Sequence, residues 1–455
     1  MKKYLFLIIL FIPFTVLAET AKNISLNAKY YDNDRELIML NDNSYDSYTT
    51  ISKGNTLTIK SEKDIKHIYI IYEIISSKGK LKTEKESIEL GVNGFIHEYQ
   101  KLSAPVNTLK LSYNNDVTIS EIQVYSEGEI PDDVQIWKKE KTTDLMIFST
   151  HADDEVLFFA GIIPTYIDRG KKIHVTYLAR HELGKHKNQI RMHEQLDGLW
   201  TLGITDYPTF GYIPDAYSKI KENTPKEKEK VLKTVEKQLE EVNITDEDII
   251  NFDIKVMRQY KPKVIVMHDE YGEYGHGQHI LNTLLLKEAI KKVDTNDYKL
   301  SKAYIHLYDK DNWTILDLDK PLDYYEGKTA YQKCKEAFLK HVTQQFSKYP
   351  AWLNGKNNEY TSAKDIKSYS PMYWGLYYTS VGKDKKKNDL FENISEEKKE
   401  VKTTKTTTTV NTTETTTKKE ETSEIINEDI NYKYILGLSG LLILLVILLI
   451  LFLNI

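Results

Sequence analysis

Two short stretches concentrate residues able to hold a metal ion and move protons. The first is His151-Ala152-Asp153-Asp154-Glu155. His151 and Asp154 stand three apart, so in a tight turn their side chains can converge on one cation, while Asp153 between them points toward the open side. The second runs His268-Asp269-Glu270, then Tyr274-Gly275-His276-Gly277-Gln278-His279. His276 and His279 are again three apart, and Gly275 and Gly277 let backbone approach closely. Together they offer three plausible ligands and two plausible acid–base groups. Three protein N/O ligands with a water in the fourth place is the arrangement of a catalytic zinc. Cys334 is the only cysteine, which excludes an internal disulfide and any thiolate zinc cluster. The chemistry therefore falls to His, Asp and Glu.

Each stretch follows an apolar run that reads as a buried strand, 145–150 for the first and 264–267 for the second. Further strands are expected at 173–178 and 303–307, with helices over 155–169, 185–202, 225–242 and 246–260. Pro225 opens the third of these helices where proline is best tolerated. Such alternation predicts a Rossmann-like α/β fold, a mainly parallel sheet with helices on both faces. Sites in these folds gather at the carboxyl ends of the strands. Acidic residues at a helix start also suit the helix dipole without any catalytic role. That bland reading weakens when both clusters follow buried strands. One decoy is His181-Glu182-Leu183-Gly184-Lys185-His186, whose histidines are five apart rather than the four of a metalloprotease helix. Its histidines suit the border of a cleft better than a metal. Trp374 and the tyrosines around it read as core or cleft wall.

Residues 23–126 have another texture, short β-branched and aromatic runs at 55–61, 65–75, 108–113 and 119–125 punctuated by Gly54, Gly79, Gly91 and Asn114-Asn115. They predict an all-β sandwich ahead of the α/β body. The run 119–125 resembles the last strand of galactose-binding-like (discoidin-type) sandwiches, and 40–50 their early loop. That resemblance raises glycan binding beside a plain spacer role.

The run His151–Glu155 with its following helix, Arg191-Met192-His193-Glu194 leading to Leu202-Gly203, and Gly275–His279 together resemble the N-acetylglucosaminyl-phosphatidylinositol de-N-acetylase (LmbE-like) family of zinc deacetylases. The likeness covers about 144–394. It implies His151, Asp154 and His279 as metal ligands, Asp153 as general base, and a protonated His276 as stabiliser of the oxyanion. Glu155, Arg191, Glu194, His268 and Asp269 are then candidates for supporting the metal shell or binding substrate. The implied cofactor is Zn2+, although a set of two histidines and one aspartate accepts other divalent ions. Ala152 stands where the family usually has proline, and Gln278 where it often has aspartate.

The chain has 455 residues, 62 Lys+Arg against 67 Asp+Glu, and a net charge of −5. Without a basic excess, a nucleic-acid partner is not expected. With 40% apolar and 11% aromatic residues it can build sizeable cores, which excludes wholesale disorder. Residues 1–18 read as a secretory signal peptide, with Lys2 and Lys3 before an apolar run and a small-residue end. Residues 396–433, rich in Thr, Lys and Glu, read as a solvated stalk. Residues 434–453 form a run of 20 without a charge, enough to span a bilayer core of about 30 Å as a helix. A lipid-anchor signal is the rival reading of that end. The expected domains are a β-domain at 19–130 and a deacetylase domain at 137–395, displayed outside the cell. The expected activity is N-deacetylation of an extracellular N-acetylglucosamine-type glycan. The alternatives are a non-catalytic, membrane-tethered glycan-binding protein and an amide hydrolase with a non-sugar substrate.

Overall fold

In the computed structural model, residues 19–183 and 188–395 are described. The signal, stalk and membrane-span readings, and His186, lie outside them. Among the described residues no helix is long and apolar enough to cross a membrane.

The chain builds a mixed α/β structure with two sheets. The first is antiparallel and contains β1 (Ala28–Asp32), β2 (Arg35–Leu37), β3 (Thr49–Ile51), β4 (Thr56–Tyr72), β5 (Gly79–Lys82), β6 (Ser87–Leu90), β7 (His97–Tyr113) and β8 (Val117–Tyr125). The runs 55–61 and 65–75 are thus parts of one strand, β4, whose register against β7 shifts between Lys60 and Ile65. The charged break Ser61–Asp64 lies at that shift. β4 changes neighbours along its length, with β1 beside its first half and β8 beside its second. From Ile65 to Tyr72 every residue is buried, so both faces of this half-strand are covered.

The second sheet holds β9 (Leu145–Ser149), β10 (Ile173–Arg180), β11 (Thr209–Pro214), β12 (Val264–Met267), β13 (Lys302–His306), β14 (Thr314–Ile315) and β15 (Tyr373–Thr379), in the order β11-β10-β9-β12-β13-β15-β14. The first five run parallel, and β15 and β14 add antiparallel at one edge. Alternation along β9 divides its side chains between two cores. Leu145 and Ile147 pack with Val156, Tyr166 and Leu196, while Met146 and Phe148 pack with Val235, Ile249, Met257 and Leu286. The first face carries α1 (Asp154–Leu157), α2 (Ile162–Asp168) and α3 (Ile190–Thr201); the second carries α4 (Pro225–Glu240), α5 (Asp246–Tyr260) and α6 (Gly277–Val293). Two later helices, α7 (Ala330–Phe338) and α8 (Pro350–Asn354), complete the layer on the first face.

The helix expected over 155–169 is broken between α1 and α2. Gly161 there adopts φ +85°, and a Cβ would stand 2.5 Å from Leu318 Cδ2. The left-handed glycine breaks the helix, and the leucine packed against it leaves no room for a side chain there. All described residues belong to one compact unit ending at Glu396.

Candidate active site

Strand β9 stops at Ser149, and the next residues turn at the carboxyl edge of the sheet. Asp153 takes φ +86° at the N-cap of α1, a left-handed conformation that costs an aspartate roughly 1–3 kcal/mol. It does not spend its carboxylate on capping the helix. Asp154, by contrast, folds back so that Oδ2 accepts the main-chain N–H of His151 at 2.7 Å. One residue is thereby aimed into the cleft and its neighbour into the sheet edge.

The second cluster arrives on the loop between β12 and α6. The segment after β11 pairs with this loop: Ile220 N–H donates to Gly275 O (2.9 Å) and Gly277 N–H to Ser218 O (2.8 Å). Gly275 has φ +86°, so the turn suits glycine. His276 is the N-cap of α6, and its Nδ1 accepts the N–H of Gln278 at 3.2 Å. His279, one turn into the helix, is fully buried.

Three atoms meet. His151 Nδ1 lies 3.0 Å from His279 Nε2, His279 Nε2 lies 3.4 Å from Asp154 Oδ2, and His151 Nδ1 lies 3.6 Å from the same oxygen. Bonds of about 2.0–2.1 Å to a tetrahedral cation put its ligand atoms roughly 3.3 Å apart. The triangle fits such an ion. The surrounding hydrogen bonds aim lone pairs inward. His279 Nδ1 faces Glu273 Oε2 at 2.7 Å and donates there, leaving Nε2 bare. His151 Nε2 faces two acceptors, Gln278 Oε1 at 3.0 Å and Asp215 Oδ1 at 3.2 Å, so the proton sits on that side and Nδ1 turns to the triangle.

The other two histidines are committed elsewhere. His268 lies 3.3 Å from Asp154 Oδ2, but its Nε2 accepts the N–H of Thr150 at 3.1 Å and its Nδ1 faces Glu273. With that lone pair used, it supports Glu273 through its Nδ1–H instead of ligating. His276, whose Nδ1 is an acceptor, carries its proton on Nε2. Burial, with His151 and His279 nearby, holds it well below the imidazole range. It is a neutral N–H donor, not the imidazolium the resemblance implied.

Charge divides the two aspartates. Burial pushes Asp153 up to about 7, with the Arg191 guanidinium opposing and Asp154 adding to the rise. Burial acts on Asp154 in the same sense, but His279, His268 and His151 outweigh it and hold that carboxyl well below its usual range. Burial disfavours a charge on His151, yet Asp215 and Asp154 lift it to about 10.

The remaining candidates separate. Arg191 Nη2 lies 3.1 Å from Asp153 Oδ2, and the same nitrogen donates to Ala152 O. Asp269 enters only through its main-chain N–H, which donates to Glu273 Oε1 at 3.0 Å. Glu155 points away from the triangle toward His341, 2.7 Å from its Nε2, because the first turn of α1 rotates it to the far side. Glu194 accepts from both the N–H (2.6 Å) and Oγ1 (2.7 Å) of Thr343, so it clasps a turn instead of a substrate. His181 backs the cleft, accepting the N–H of Ala152 at 3.1 Å. Trp374 is core, fully buried and 5.0 Å from the His306 ring.

Sequence reasoning passed over Asp215, Glu273 and the aromatic wall. Tyr217, Tyr274, Tyr349 and Trp352 line the cleft with Phe158, and the Trp352 ring lies 4.9 Å from Tyr274. Asp215 follows β11 directly, so reading 209–214 as a strand would have flagged it by the carboxyl-edge rule. Glu273 gathers three imidazoles, those of His268, His279 and His306. No spacing rule announces that.

Residues 146–290 match the family described as PIG-L, GlcNAc-PI de-N-acetylase. No curated protein matches the chain. Among solved structures, N,N'-diacetylchitobiose deacetylase from Pyrococcus horikoshii is 14% identical, with 52% of this chain and 84% of that one covered at a TM-score of 0.35. A conserved protein from Thermus thermophilus is 17% identical, covering 45% and 80% at 0.30. CpGH89CBM32-6 of Clostridium perfringens is 18% identical, covering 23% and 100% at 0.20.

Proposed function

We propose that this chain is a metal-dependent N-deacetylase that hydrolyses the acetamido group of an N-acetylglucosamine-type glycan or glycoconjugate. The observation that carries the reading is the triangle of His151, Asp154 and His279 with Asp153 beside it, inside a stretch that matches a deacetylase family. A divalent cation there, zinc being our choice, would supply Lewis acidity and lower the pKa of its water from about 15.7 to about 7. Asp153 takes the proton of the attacking water and later returns it to the leaving nitrogen. His276 Nε2–H donates to the carbonyl oxygen as negative charge grows on it. Arg191 keeps Asp153 oriented. One C–O bond forms, the amide C–N bond breaks, and acetate and a free amine leave. Tyr217, Tyr274 and Trp352 offer aromatic faces for a sugar ring.

The same proposal takes residues 19–130 as a sandwich-like, galactose-binding-like β-domain and 137–395 as the doubly wound, Rossmann-like hydrolase domain. From the sequence of its two ends, we place the protein outside the membrane, exported by residues 1–18 and held by residues 434–453. Its substrate would then be extracellular. The test is acetate release from a panel of N-acetylhexosamine glycans and non-sugar amides, with and without chelator. Chelator-sensitive release from the sugars alone is expected. Release only from non-sugar amides would replace the substrate class, and release untouched by chelator would sink the metal.

A further inference from the structure

Helix α3 has two working faces. Arg191, Glu194 and Gly198, at helical spacing, turn to the catalytic side: Arg191 to Asp153, Glu194 to Thr343, and Gly198 against the His341 ring, where a Cβ would stand 2.9 Å from Nε2. His193, Asp197 and Trp200, spaced four and three apart, form another face. Every one of them bonds to a residue before position 138. Asp197 accepts from Tyr45 Oη (3.1 Å) and Gln135 Nε2 (2.6 Å), and Trp200 Nε1 donates to Asp132 O (2.7 Å).

His193 ends a hydrogen-bonded chain whose direction is determined. Its Nε2 faces the main-chain oxygen of Glu73 at 2.9 Å, which can only accept, so Nε2 donates and Nδ1 must accept. His97 Nε2 donates to that Nδ1 at 2.8 Å, and His97 Nδ1 in turn accepts from Tyr69 Oη at 2.8 Å. Both imidazoles are buried, and Tyr45 stacks on His193 at 4.4 Å. Burial holds both below the usual imidazole range, as one proton per link requires. An apolar contact would tolerate sliding, but a saturated buried chain specifies one register.

We propose that the N-terminal β-layer is a working part of the active site: His97, a positioning residue, fixes α3 through His193 so that Arg191 holds Asp153. This rests on the deacetylase reading only for the role of Asp153. The two are separated by testing the full chain for both catalysis and hydrogen exchange. In His97→Phe, kcat should fall about tenfold or more, since a misplacement of 1 Å can cost about a hundredfold. KM and metal content should stay within about twofold of the parent. His97→Gln should recover part of the loss, because its amide can donate in place of the imidazole. An unchanged kcat in a folded His97→Phe would overturn the proposal. If that variant does not fold, Tyr45→Phe keeps the stacking and removes only the bond to Asp197, and a smaller fall in kcat at unchanged KM is expected; none would overturn it. Should the parent release no acetate from any sugar, the deacetylase reading falls. Exchange of the 190–201 amides then decides, faster in the variants if the seam holds α3 and equal if it does not.

Discussion

Asp153 and Asp154 are adjacent carboxylates to which the proposed mechanism gives opposite tasks, and their surroundings separate them. Asp153, lifted by burial toward neutrality, has the proton affinity a general base needs near pH 7. Asp153→Asn should lower kcat by about 10²–10⁴ with metal content unchanged, as elemental analysis beside the assay would show. Glu273 acts one shell further out. Its oxygen fixes the tautomer of His279, so Glu273→Gln should weaken metal affinity about 10–100-fold, measured by competition with a chromogenic chelator. If His151 ligates the proposed cation, it should carry the pH dependence of binding. Raised to about 10, it holds a proton at pH 7.5 that an arriving cation must displace. Metal uptake should release about one proton, and affinity should fall as the pH is lowered. Calorimetry in buffers of different ionisation enthalpy checks this, and equal heats in all of them would contradict it.

Helix α6 delivers two histidines from its first turn, and its placement depends on a missing side chain. A Cβ on Gly277 would stand 2.7 Å from Val231 Cγ1 and 2.8 Å from Val235 Cγ2 of α4. Gly277→Ala should cost about 1–3 kcal/mol of stability through overpacking. It should also loosen metal binding, because His276 and His279 would move with the helix. A denaturant titration paired with a metal titration tests both. Local signals explain why α4 and α5 are legible in the sequence. Pro225 follows the Thr224 cap, and Thr245 forms a capping box with Asp248. The break after α1 carries only one local sign, Gly161, and what the sequence hides is Leu318, packed from far along the chain where a side chain would stand. The aromatic wall was equally hidden, for Trp352 comes to Tyr274 from a helix that local pattern does not tie to the site.

Across the whole molecule, the buried seam between the two sheets makes stability depend on pH. Burial lowers the His193 pKa to about 4, against about 6.5 when unfolded. A depressed histidine contributes stability that is present above about 6.5 and lost as pH falls toward 4, up to about 3 kcal/mol. His97 acts in the same direction. Asp197, raised to about 6 by burial, opposes them, because its native carboxyl takes up a proton more readily than the unfolded one. The difference between the parent and His193→Gln isolates the histidine. Denaturant unfolding at pH 7.5 and 4.5 should show a smaller acid loss in the variant, and parallel losses would refute the assignment.

Residue type and short spacing were enough to mark the two polar clusters, the strands that precede them and the absence of cysteine chemistry. These features are local, set by periodicity, capping and turn geometry within a few residues. Which lone pairs face the triangle is another matter. His268 and His279 are both histidines near one strand end, yet the Thr150 N–H occupies one and Glu273 frees the other. The direction of the His97–His193 chain likewise depends on a carbonyl at Glu73, 120 residues away from His193. A buried imidazole acts as ligand, donor or brace according to which neighbours consume its two nitrogens, and those neighbours meet only when distant segments pack.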